Sequence, residues 1–118
     1  MNDKAHRIVA VTATAILIGL SLAAAPGSTY RHSFLFLSPL VWGIYALRDR
    51  LCFRPFHLGL FASALLLHNL GVFGFYRREF LNLWFDTYVH FYFGLVGGAL
   101  LRRILACIYR LKAWPLWL

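Results

Sequence analysis

Few residues in this 118-residue chain can do chemistry, and three stand out by their spacing: Asp86 and His90, one helical turn apart, and His68 in the apolar block before them. At 100° per residue from Asp86, the residues His90, Phe93, Gly94, Gly97 and Leu101 fall within an arc of about 100°, with Tyr88, Tyr92, Leu95 and Ala99 opposite. In the preceding block His57, Phe61, Ala64, His68, Gly71 and Phe75 share an arc of about 80°. A carboxylate one turn from a His fixes its tautomer and favours its charged form, which suits general acid/base work or a proton relay. Two His and one Asp also suffice to hold Zn²⁺ or a similar ion with an open position. Neither chemistry has a fuller motif behind it: H-E-x-x-H, a Ser/His/Asp order and a phosphate-cradling glycine loop are all absent, and no particular cofactor is indicated.

The elements that must position these residues are membrane helices. Hydrophobic residues make up 61% of the chain and charged ones only 14%, far below the roughly 25% of soluble domains. A water-soluble globule of this size would leave apolar patches well beyond what soluble monomers tolerate, whereas lipid covers them at no cost. The net charge of +8 does not point to nucleic acid, because the twelve Lys and Arg residues sit in knots between apolar blocks and form no continuous basic face.

Ile8 to Ala25 carries no charge and makes a helix of about 27 Å, close to the hydrocarbon thickness. Ala23-Ala24-Ala25 resembles a signal-peptide cleavage site, but the apolar core exceeds the usual length of about 7–15 residues and Pro26 follows, so the segment is read as retained. Ser33 to Leu47 spans only with Tyr30 to His32 drawn in. Its Pro39 frees a carbonyl that Ser38, a neighbouring helix or water would satisfy. Phe56 to Tyr76 and Leu81 to Leu101 are the strong spans, and the short Arg77-Arg78-Glu79 connection makes them antiparallel neighbours. Ile104 to Leu118, with Arg110, Lys112, Trp114 and Trp117, reads as a helix lying in the interface.

Taken together, these blocks predict an all-α membrane protein: one polytopic domain over 1–118, a bundle of four transmembrane helices near 8–25, 30–47, 56–76 and 81–101, and an interfacial tail at 104–118. Nine of the twelve Lys and Arg residues fall on one side of such a bundle, and only Arg31, Arg77 and Arg78 on the other. The positive-inside rule then places both termini in the cytoplasm. Cys52 and Cys107 lie at that face, where thiols stay reduced, so no disulfide is expected.

In an antiparallel hairpin His68, about 12 Å from Tyr76, and His90, about 13 Å from Leu81, reach the same depth, so His68, Asp86 and His90 can converge in the outer half of the bilayer. A plainer reading stands beside this one. Asp86 caps the fourth helix, His90 is shallow, and Gly71, Gly94, Gly97 and Gly98 serve helix packing. His6, His32 and His57 are placed at the interface, and Arg102, Arg103, Arg110, Lys112, Trp114 and Trp117 at lipid headgroups. Partners are membrane lipid and either another helix or a second copy. Imidazoles of His68 and His90 close together beside a polar cavity would favour a site; His90 on a lipid surface would favour packing.

The run His68-Asn69-Leu70-Gly71, then Phe75-Tyr76, then Phe85-Asp86-x-x-x-His90-Phe91-x-x-Gly94 resembles the YjdF-like family of bacterial inner-membrane proteins over roughly Leu65 to Arg103. The resemblance implies an all-helical polytopic protein of the inner membrane and no particular reaction. Members continue into further helices bearing paired acidic residues, which this chain lacks after Leu118; the resemblance therefore implies a short or truncated member. VanZ-like membrane proteins share the Asp86/His90 spacing, with Thr87 here in place of their Lys.

Overall fold

The computed structural model describes residues 3–24, 29–72 and 77–109, with the backbone alone for Thr29, Tyr30 and Val72. Four α-helices follow one another: α1 (Asp3–Ala23), α2 (Ser33–Leu47), α3 (Pro55–Val72) and α4 (Phe85–Ile108), with a 3-10 turn at Thr29–His32 leading into α2. Two short strands, β1 (Glu79–Phe80) and β2 (Leu83–Trp84), precede α4. Of the described helices, α1 and α4 are long and apolar enough to cross a membrane, and α2 is a shorter apolar helix of 15 residues.

The core forms where α1 meets α2 and α3. On α1 the residues His6, Ala10, Ala13, Leu17 and Ser21 are buried at intervals of three and four, a single helical stripe whose small side chains let the neighbours come close. Ala10 and Ala13 meet Val41 of α2 and Leu58, Ala62 and Leu65 of α3. A second cluster joins α3 to α4 through Ala64, Val96 and Leu100, closed by Phe53 from the α2–α3 loop. Much of the outside is apolar, including Ile8, Leu22, Phe36, Phe56, Phe91 and Leu105, as a lipid-facing surface requires.

Several expectations change here. The connection before α4 is a hairpin rather than the bare Arg77-Arg78-Glu79 turn: Glu79 pairs with Trp84 and Phe80 with Leu83 in antiparallel register. Its two turn residues, Leu81 and Asn82, have φ of 50° and 64°, the left-handed values of a two-residue hairpin loop. The helix therefore starts at Phe85, not Leu81, with Trp84 at the N-cap and Asp86 in the first turn. It also runs on to Ile108, so residues 104–108 continue α4 instead of opening a separate tail helix. Arg110, Lys112, Trp114 and Trp117, with the remainder of that tail, lie outside the described residues. Pro39 sits inside α2, but among the described residues the buried Ser38 hydroxyl has no hydrogen-bond partner and so does not relieve the carbonyl that the proline frees.

The extra length of α4 has a covalent consequence. It carries Cys107 to the α2–α3 loop, where Cys52 turns back with φ 56°, and the two form a disulfide with their Cα atoms 6.1 Å apart. The expectation of two separate thiols is corrected by this contact. Arg103 Nε donates to the Cys52 carbonyl at 2.8 Å, and His6 Nε2 lies 2.8 Å from the Phe53 carbonyl. His6 and His57, expected at the interface, are instead buried, His57 stacked on Phe53. A short loop is thus gripped from α1 and α4 at once.

Candidate functional site

Asp86 and His90 come together as their spacing predicts. In α4 the His90 Nδ1 lies 2.9 Å from the Asp86 carbonyl and 3.3 Å from its Oδ2. A carbonyl only accepts, so Nδ1 carries the proton and the Nε2 lone pair of the neutral ring points away from the pair. Both side chains are open, with 76% of His90 and 55% of Asp86 exposed, so the pair stands on the outside of the bundle.

His68 occupies a different setting. Its ring meets Phe93 edge-on, 6.2 Å between centroids, at the α3–α4 seam. Among the described residues no three His, Cys, Asp or Glu side chains approach closely enough to share a metal ion. Asp86 and His90 thus supply two ligands of the three that the zinc reading requires.

The glycines divide likewise. Gly71 is buried in α3. Gly94, Gly97 and Gly98 are exposed, and a Cβ built at any of them would meet nothing within 4 Å. This face of α4 was expected to pack against protein; among the described residues Phe93 on its edge meets His68, while the space over the three glycines is open. The helix leans on α3 with its other side, through Val89, Val96 and Leu100, and the Tyr92 hydroxyl bonds Ser63 at 2.5 Å. The Tyr88 hydroxyl donates to the Phe80 carbonyl at 2.6 Å and ties the hairpin to the helix. Lipid tails are as apolar as Leu or Val, so an aliphatic face gains nothing special by facing lipid. Shape and hydrogen bonds decide which side packs.

At the basic end Arg102 is half-buried, and Arg103, also half-buried, gives its Nε to the Cys52 carbonyl. Sequence reasoning passed over a polar network there: Asp3 accepts from Arg7 at 2.8 Å, from the Tyr45 hydroxyl at 2.7 Å and from Arg48 at 2.8 Å. The first acid of the chain lies 42 residues from Tyr45, and Arg48 is farther still, so the pairing left no local signal. His6 was equally hidden, although its place at the head of the buried α1 stripe could have disclosed it.

No curated protein and no solved structure matches the chain. A family profile described as "Predicted membrane protein (DUF2238)" does match, over residues 5–118, which takes in α2 to α4 and all of α1 but its first two residues. That span is nearly the whole length, and the apolar exterior and long apolar helices agree with its description: the chain belongs to the DUF2238 family of predicted membrane proteins.

Proposed function

We propose that this protein is a multi-pass component of the bacterial inner membrane, its four helices crossing the bilayer and both termini in the cytoplasm. In this reading the Asp86–His90–Gly94–Gly97 face of α4 receives a helix from another molecule, a partner or a second copy. The observation that carries it is the open space over Gly94, Gly97 and Gly98 on a helix whose opposite face is already engaged with α3. Small residues let two backbones approach closely, and Asp86 and His90 add hydrogen-bonding groups to the same stripe. The basic end, with Arg102, would sit among headgroups in support of that assembly.

The test is a pair of substitutions, Gly94→Leu and Gly98→Leu. A Cβ at either position meets nothing within 4 Å and both glycines are exposed, so the folded monomer should persist. Co-purification or in-membrane crosslinking of the associated helix should fall at least tenfold. Unchanged association in both variants would remove the reading.

A second reading is favoured by the 3.3 Å approach of His90 to the Asp86 carboxylate, with an outward Nε2. Such a pair can bind a proton, an ion or a small polar ligand. Asp86→Asn should then abolish function while association of α4 is retained, whereas a purely packing role predicts the opposite order of effects.

A further inference from the structure

Along the α1–α3 seam the surface is cut by a groove of about 240 Å³, lined by Ile8, Thr12 and Ile16 on one side and Gly59, Ala62 and Leu66 on the other. A shallow, open depression of about 250 Å³ on the α1 surface, lined by Lys4, Arg7, Ile8, Val11 and Thr12, shares Ile8 and Thr12 with it. We propose that the two form one binding site for an anionic phospholipid, an acyl chain lying in the groove and the phosphate held by Lys4 and Arg7. It is independent of the α4 face and of the reading built on that face.

The chemistry changes along the site in the order that a phospholipid does. Below Lys4 and Arg7 the lining is aliphatic, with hydroxyls only at Thr12 and Ser63 and no charged group. Small side chains on α3 make the trough: Ala62 is buried, and a Cβ at Gly59 would meet open space. At the other end Lys4 is exposed and 66% of the Arg7 side chain is open. Arg7 commits one guanidinium nitrogen to Asp3, and a guanidinium has five N–H donors, so donors remain for a phosphate. Asp3 offsets part of the positive charge, but Tyr45 and Arg48 draw on the same carboxylate. Two cations in the first turns of an otherwise apolar helix also sit at headgroup depth, with their stems along the apolar surface. Basic residues there favour anionic over zwitterionic lipid by roughly fivefold each.

The test uses the full-length chain in detergent, titrated with phosphatidylglycerol and with phosphatidylcholine and read by native mass spectrometry and thermal shift. Phosphatidylglycerol should be retained about tenfold more tightly or better. Lys4→Gln should cut that preference about fivefold, while Arg50→Gln, exposed on the same side but outside the groove, should leave it unchanged. Gly59→Leu fills the trough and should lose retention of both lipids with an unaltered gel-filtration profile. Should that variant misfold, the Lys4/Arg50 contrast still decides the matter. Equal retention of the two lipids, or loss of preference in Arg50→Gln equal to that in Lys4→Gln, would overturn the proposal. So would stabilisation by inorganic phosphate alone, which would mark a free-anion site with no use for the groove.

Discussion

The two long apolar helices, α1 and α4, are alike in composition and opposite in use. Within its most apolar 18-residue window α1 is 28% buried and α4 only 6%, so α1 is the shared wall of the bundle and α4 an outrigger on α3. Each has a small-residue stripe. That of α1, Ala10 and Ala13 between His6 and Leu17, is consumed by α2 and α3; that of α4, Gly94, Gly97 and Gly98, faces outward. In lipid a stripe of small residues therefore marks a face able to pack, and only the neighbours determine whether the partner lies in the same chain.

The most severe way to break the comparison is to cut what tethers α4. The Cys52–Cys107 bond closes a 55-residue separation, for which chain-entropy reasoning sets an upper value of about 4 kcal/mol. A bilayer already confines the unfolded helices, so the effect should be smaller, about 1–3 kcal/mol. Cys107→Ser should loosen α4 against α3 while the α1–α2–α3 core holds, seen as faster hydrogen exchange restricted to residues 85–108. Uniform loss of protection in all helices would mean that α4 is no outrigger. The bond also bears on orientation, because disulfides persist in oxidising compartments while the Lys and Arg bias places this end in the cytoplasm. Thiol labelling in intact cells separates the cases: reduced cysteines agree with the proposed orientation, and a bond formed in the cell reverses it.

Overfilling the two stripes should give the next largest contrast. Ala13→Leu forces extra methylenes into a position that is 3% exposed and should cost about 1–3 kcal/mol. At the exposed Gly97 a Cβ meets nothing within 4 Å, so Gly97→Leu should leave the monomer unharmed or stabilise it by up to about 1 kcal/mol through helix propensity. Thermal unfolding in detergent compares them directly. A destabilised Gly97→Leu monomer would show that the α4 face is already occupied within the chain.

A smaller effect lies in the α3–α4 seam, where the Ser63 and Tyr92 hydroxyls meet. Cross-helix bonds of this kind average about 0.6 kcal/mol in membrane proteins, so a Ser63→Ala, Tyr92→Phe cycle should return a coupling near that size. A coupling of zero would leave the hold on α4 to the disulfide, Arg103, the His68–Phe93 ring contact and apolar packing.

How much of this was legible follows from the same asymmetry. The helices themselves, and the Asp86–His90 contact, are readable because the first depends on apolar length and the second on a four-residue spacing within one helix. The buried face of α1 is readable as well, since His6, Ala10, Ala13, Leu17 and Ser21 keep helical intervals. Periodicity alone does not tell in from out on α4, because both of its faces are compatible with lipid. The hairpin is hidden by Leu81, an unusual residue for positive φ, although Asn82 beside it is a common one. The disulfide is hidden by the orientation read from the basic residues: Cys52 and Cys107 fall at one face, but that face is read as cytoplasmic, where thiols stay reduced.

The smallest expected change in stability is at the pair that motivated the site. Asp86 and His90 are both exposed and one turn apart, an arrangement worth about 0.3–0.5 kcal/mol at most in a solvated helix. His90→Phe should therefore barely move the unfolding temperature. If α4 serves only as a packing surface, Phe at this position adds apolar contact and association survives. If the imidazole binds a proton or an ion, function disappears from a protein that is folded and still associated. A large loss of monomer stability in His90→Phe fits neither outcome and would mean that the Asp86 end of α4 is covered by its own chain, removing the contrast with α1 from which both readings start.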